Sequence, residues 1–116
     1  MRTNKIQEAE AYIGKALVSD PNNPEALTLL AREELQTKQY DKAIYNARKV
    51  HSLPHEHYPE VHIIAGDALL YQNKNAEAVK EYELYLKEDP DSPNAAQVRT
   101  AMAQIQAKTS AKQQAQ

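Results

Sequence analysis

The sequence predicts an all-α fold of about six helices. Three observations carry that expectation: a helix-forming composition, a self-similarity with a period near 34 residues, and an alanine-led packing stripe of helical period drawn three times. Ala, Glu, Gln, Lys and Leu dominate the 116 residues, with two glycines and no Phe, Trp or Cys. Such residues lose little freedom on entering a helix. Asp20-Pro21 heads DPNNP and Asp89-Pro90 heads DPDSP, 69 residues apart, which is two periods and one residue. Ala9, Ala43 and Ala78 follow the same step, at 34 and 35 residues. Four positions on from each come Ile13, Ala47 and Tyr82, and three further Ala16, Val50 and Tyr85. That i, i+4, i+7 spacing is one face of a helix.

The elements follow in order. Helix 1 is expected over about 4–19 and carries the first stripe. Helix 2, about 24–37, opens on Asn23-Pro24, a capping side chain followed by a proline whose missing N–H costs nothing there. Its stripe is Leu27, Leu30, Ala31 and Glu34. A carboxylate is a poor core residue, so Leu35 is expected to share that place. Helix 3, about 40–52, opens on YDKAI, and helix 5, about 75–88, opens in the same way on NAEAV. Helix 4, about 59–72, has the stripe His62, Ala65, Gly66 and Leu69. Ala31 and Gly66 are the small residues that let two helices approach closely, and overpacking is the expected result of enlarging Gly66. Helix 6, about 93–107, starts at Ser92-Pro93. Its apolar positions Ala95, Val98, Met102 and Ile105 sit among Gln97, Arg99, Gln104 and Gln106, the half-polar dress of a terminal cap. Residues 109–116 form a polar tail with no packing stripe, expected to be frayed or disordered. Helix 1 has no capping partner before it. Its outer face is expected to be exposed unless a longer array or a second copy covers it.

This pattern resembles the tetratricopeptide repeat. With Pro24 as position one, Ala31 falls eighth, Tyr40 seventeenth and Ala43 twentieth. With Pro59 as position one, Gly66 falls eighth, Leu69 eleventh, Ala78 twentieth, Tyr82 twenty-fourth and Pro90 thirty-second. Leu27 replaces the family's Trp, His62 takes the same position in the next copy, and Pro54 comes one place early. The resemblance spans about residues 5–106. It implies a short right-handed α–α superhelix within 1–108: a half repeat over 4–23, repeats over 24–58 and 59–92, and a capping helix over 93–107. It also implies a non-catalytic module that binds a peptide or a partner helix in a concave groove. The positions that match the groove are Glu25, Thr28, Arg32, Leu35 and Gln36 in one copy, and Glu60, Ile63, Asp67, Leu70 and Tyr71 in the next. Ile63, Leu70 and Tyr71 are the expected apolar anchors, and Arg32 and Asp67 the charges that select a partner. The carboxylate clamp of the family's chaperone-binding members is not expected, because Thr28, Ile63 and Asp67 stand where it needs donors.

The remaining chemistry narrows the function. Lys plus Arg is 14 and Asp plus Glu is 16, without the basic surplus that holds nucleic acid. No apolar run approaches the roughly 18 residues of a membrane span. No secretory leader is visible at the N-terminus as written, so a cytoplasmic setting is expected. Absent cysteine excludes disulfides, thiol catalysis and Cys-ligated zinc. Two glycines cannot build a phosphate loop, and no nucleophile elbow, HExxH or dinucleotide fingerprint occurs. Pairs such as Glu33-Glu34 read as a solvated helix face. No enzyme, cofactor or metal is expected. The partner is expected to be a protein or peptide, with self-association through helix 1 as the alternative.

All four histidines, His51, His55, His57 and His62, fall within VHSLPHEHYPEVH. This is the joint between the two repeats, two residues longer than the equivalent Pro21–Pro24 and Pro90–Pro93 joints. The favoured reading makes His62 a half-buried packing residue and leaves the loop histidines solvated. A zinc or nickel site from His51, His55 and His57 with Glu56 or Glu60 is a second reading, and a pH-responsive joint a third.

Overall fold

The computed structural model describes residues 4–53 and 58–114, with side chains described between 5 and 110 of these. Within them the chain forms six helices and no strand: α1 (Asn4–Ser19), α2 (Pro24–Gln36), α3 (Tyr40–Ser52), α4 (Glu60–Tyr71), α5 (Asn75–Glu88) and α6 (Ala95–Gln114). Each helix packs on the next in the chain, and α2 also touches α4, so the helix pairs stack. The result is an elongated body of 52 × 35 × 23 Å, an all-α helical-repeat solenoid.

Local chemistry sets the boundaries. The Asn23 side chain accepts from the Ala26 N–H at 3.0 Å with Pro24 at the first helical position, as the Asn-Pro pair predicts. The α2–α3 and α4–α5 turns are built alike. Lys38 and Asn73 adopt positive φ, 65° and 63°. The N–H groups of Gln39 and Lys74 then reach back to the carbonyls of Glu34 and Leu69, at 2.8 and 2.9 Å. This left-handed cap satisfies carbonyls that the helix end leaves open.

Helix α6 differs from its expected 93–107. The Asn94 carbonyl accepts the Val98 N–H at 3.0 Å, and the Ser92 hydroxyl accepts the Asn94 N–H at 3.2 Å. Pro93 therefore lies in the turn before the helix rather than on its first position. At the other end α6 runs on to Gln114, because nothing after Pro93 is Gly or Pro and Ala, Gln and Lys favour helix.

The stripes of α3 and α5 line the core, and that of α1 adds one buried residue. Ile13 is the buried residue of α1; Ala43, Ala47 and Val50 line α3, and Ala78, Tyr82 and Tyr85 line α5. Leu27 and Ala31 on α2, and Ala65 and Leu69 on α4, face them. One expectation is corrected. Glu34 is buried rather than solvated, and Leu35 is only partly buried beside it. Asn46 on α3 makes this tolerable: its Nδ2 donates to Glu34 Oε1 at 2.7 Å, and a buried carboxylate with a donor is far cheaper than one without.

Candidate functional site

The surface carried by α2, α4 and α6 holds most of the residues matched to the groove. Arg32 on α2 donates from Nη2 to Glu60 Oε2 on α4, tying the two repeats together with both side chains near half exposed. Glu25 lies at the α1 edge, where the Tyr12 hydroxyl donates to it at 3.3 Å. Gln36 is exposed at the end of α2. Leu70 is partly buried against the core. Tyr71 is exposed on one side and stacks on Tyr40 on the other, with ring centroids 5.3 Å apart and planes 11° apart. Thr28 departs from the expected placement. It is buried, and its hydroxyl donates to the Pro24 carbonyl one turn back at 2.7 Å, so it presents no donor to a partner.

Ile63 and Asp67, one turn apart on α4, come together in a cleft of about 320 Å³ between α4 and α6. Tyr82 forms its floor, and Asn94, Gln97, Val98 and Ala101 its far wall. The Tyr82 hydroxyl donates to Asp67 Oδ1 at 2.6 Å. Burial raises the Asp67 carboxyl above the usual carboxylate range, and the Tyr82 bond offsets only part of that rise. Burial, with the Asp67 carboxylate, raises the Tyr82 phenol as well. Gly66 is the reason Tyr82 fits. A Cβ at Gly66 would stand 2.6 Å from Tyr82 Cε1, so the ring lies directly on the glycine backbone.

A second polar constellation occupies the joint between repeats. His62 is buried at 2% exposure, deeper than the half-buried packing residue expected. Its Nδ1 is 2.9 Å from Glu81 Oε1, and its Nε2 hydrogen-bonds Glu88 Oε2. Carboxylates only accept, so the two glutamates favour a proton on each ring nitrogen, the imidazolium form of His62. Burial is the largest single influence on its pKa and lowers it. The bonds and charges of Glu81 and Glu88 together outweigh burial and raise the pKa above the usual imidazole value. His51, at the end of α3, brings its Nε2 to 3.6 Å from the same Glu88 oxygen. Its ring meets that of His62 edge-on at 4.5 Å. Arg48 stands 3.8 Å from Glu81 Oε2.

The expected set of His51, His55, His57 with Glu56 or Glu60 is therefore divided. His55, Glu56 and His57 lie outside the described residues, and Glu60 is engaged by Arg32. The partners His51 does have, His62 and Glu88, were missed by sequence reasoning. A signal existed: Glu81 and Glu88 are seven residues apart, two helical turns on one face of α5.

A family model described as anaphase-promoting complex, cyclosome, subunit 3 matches residues 2–85, and one described as tetratricopeptide repeat matches residues 57–115. No curated protein matches the chain. Among the described residues no helix is long and apolar enough to cross a membrane. Both matched models represent repeat families that generally mediate protein–protein interaction or scaffolding and are typically non-catalytic. With its paired helices, its recurrent turns and these two overlapping matches, the chain belongs to the tetratricopeptide repeat family.

Proposed function

We propose that this chain is a non-catalytic adaptor that holds a peptide or a partner's helix along the face of α2, α4 and α6. The observation that carries this reading is the cleft in which Ile63 and Asp67 meet. It pairs an apolar wall with a carboxylate and side-chain amides, the mixture by which a short segment is both anchored and oriented. Tyr71 extends the apolar contact towards α3, and the Arg32–Glu60 pair supplies both signs of charge nearby. A partner with an apolar residue flanked by a basic one fits that surface.

The test is affinity capture with three forms of the chain, each checked by circular dichroism. They are the wild type, Ile63→Glu with Gln97→Ala on the proposed face, and Tyr45→Ala on exposed α3. A protein held by the wild type and the α3 variant but lost by the first variant supports the reading. Equal capture by all three sinks it.

Self-association through α1 remains the second reading, favoured by Val18, 86% exposed, and Tyr12, also exposed. A dimeric mass by light scattering that reverts to monomer in Val18→Lys would support it.

A further inference from the structure

We propose that His51, His62 and Glu88 form a site for one zinc ion, with Glu81 orienting His62 from behind. This goes beyond the adaptor reading and does not depend on it.

The site is assembled from three helices. His51 comes from the end of α3, His62 from the first turn of α4 and Glu88 from the end of α5. One ligand atom from each lies within 4.8 Å of the other two. Zinc binds imidazole nitrogen and carboxylate oxygen at about 2.0–2.2 Å, which sets tetrahedral ligand separations of about 3.4 Å. His51 Nε2 and Glu88 Oε2 stand 3.6 Å apart already. His62 Nε2 is on the same Glu88 oxygen. An entering zinc ion has to open the His62–Glu88 hydrogen bond to that separation and draw the exposed His51 ring inwards.

The second observation is the arrangement behind His62. A metal-bound imidazole nearly always gives its other N–H to a carboxylate or carbonyl, which fixes the tautomer and turns the free lone pair to the metal. Glu81 does this here, at 2.9 Å from Nδ1. The Nε2 lone pair then points towards Glu88 and His51. Zinc would take the place of the hydrogen bond between Nε2 and Glu88, with the Glu81 contact still behind the ring. A cleft of about 200 Å³, lined by Arg48, His51, His62, Glu81 and Leu84, opens beside the ligands and leaves room for water to complete the tetrahedron. Arg48 lines the same cleft and stands 3.8 Å from Glu81 rather than on a ligand, so its charge opposes the cation without occupying the ligand atoms.

The ligand types favour a transition metal such as zinc over the alkaline-earth ions. Two imidazoles and one carboxylate suit zinc, whereas magnesium and calcium prefer oxygen alone. The consequence is mechanical. Zinc would pin the first repeat's α3 to both helices of the second repeat and stiffen the joint between them.

The experiment is calorimetric titration with zinc alone, and thermal melting with and without it. The forms are the wild type, His51→Ala, Glu88→Gln, and a double variant, His55→Ala with His57→Ala. His51 is exposed, so His51→Ala keeps the fold even if a His62 substitution does not. The expected result is one zinc per wild-type chain and a melting temperature raised by more than about 5 °C at saturating zinc. Affinity falls at least about tenfold in His51→Ala and Glu88→Gln, since removing even an outer-shell partner costs about that much, and persists in the double variant. Magnesium gives no shift. No zinc shift in the wild type overturns the proposal. So does a shift kept in His51→Ala, or one lost only in the double variant, which would place the metal on the loop.

Discussion

The two full repeats share a backbone and place their buried ionisable groups at opposite ends. In the first, α2 carries Leu27 in its first turn and Glu34 in its third, and Glu34 is served by Asn46. In the second, α4 has His62 where Leu27 stood and Leu69 where Glu34 stood, and His62 is served by Glu81 and Glu88. The small residues differ in the same compensating way. Ala31 and Ala47 occupy two buried positions in the first repeat; Gly66 and Tyr82 occupy them in the second. One methyl is removed from α4 and a whole ring is added on α5. The repeat therefore specifies a volume and a balance of donors and acceptors, not residue types at fixed positions.

The largest effect that would break this comparison comes from Tyr82. Tyr82→Ala should destabilise by about 3–5 kcal/mol, because it empties the space over Gly66 and strands Asp67. Urea unfolding measures it, and a loss below about 1 kcal/mol would mean that α5 collapses into the gap.

Gly66→Ala comes next, at about 1–3 kcal/mol. Tyr82 is buried and tethered to Asp67, so its ring has little room to retreat. The double variant Gly66→Ala, Tyr82→Ala converts the pair to the first repeat's Ala-Ala. It should be less destabilised than the two single losses combined, by about 1 kcal/mol or more. Strict additivity would show that the two residues do not press on one another.

Asp67 sharpens the contrast with Arg32, its counterpart at the ninth position of the first repeat. Its folded pKa is raised above the usual 3.8, so the folded chain holds that proton to higher pH than the unfolded chain does. The Asp67 contribution to stability therefore falls as pH rises from 3.8 through the folded value, and stays low at neutral pH. Asn at 67 still accepts from Tyr82 and does not titrate. Asp67→Asn should gain on the wild type across that window and be the more stable form at pH 7. A stability difference that is flat from pH 4 to 7 would contradict the burial argument.

The smallest effect lies in the two turns. Lys38→Gly should stabilise by about 1 kcal/mol, since lysine pays for positive φ and glycine does not. Asn73→Gly should gain about half as much or less, because asparagine tolerates that region. Equal gains in melting temperature would mean that the two turns are not equivalent in strain.

Much of this was legible from residue spacing. The stripes Ala43–Ala47–Val50 and Ala78–Tyr82–Tyr85 are local patterns of helical period, and burial follows from them directly. The Asn23-Pro24 start is a nearest-neighbour signal of the same kind. Glu34 was misjudged because its partner Asn46 lies twelve residues away on another helix, beyond any local pattern. Thr28 was placed on the binding face by position alone, yet its hydroxyl turns back onto its own helix. The joint was hardest to read. Counting histidines grouped His51 with its neighbours in the chain, whereas its partners in space come from α4 and α5.

The helices were readable from residue order because each depends on residues within one or two turns of one another, and the repeat family from the recurrence of those local patterns at about 34 residues. The partners of the ionisable groups came from the packing of helices: Arg32 with Glu60, Glu34 with the Asn46 amide, and His62 with Glu81 and Glu88. The physical reason is that a charge leaves water only where another element supplies its counterpart, and the stacking of helices, not their order in the chain, sets which elements meet.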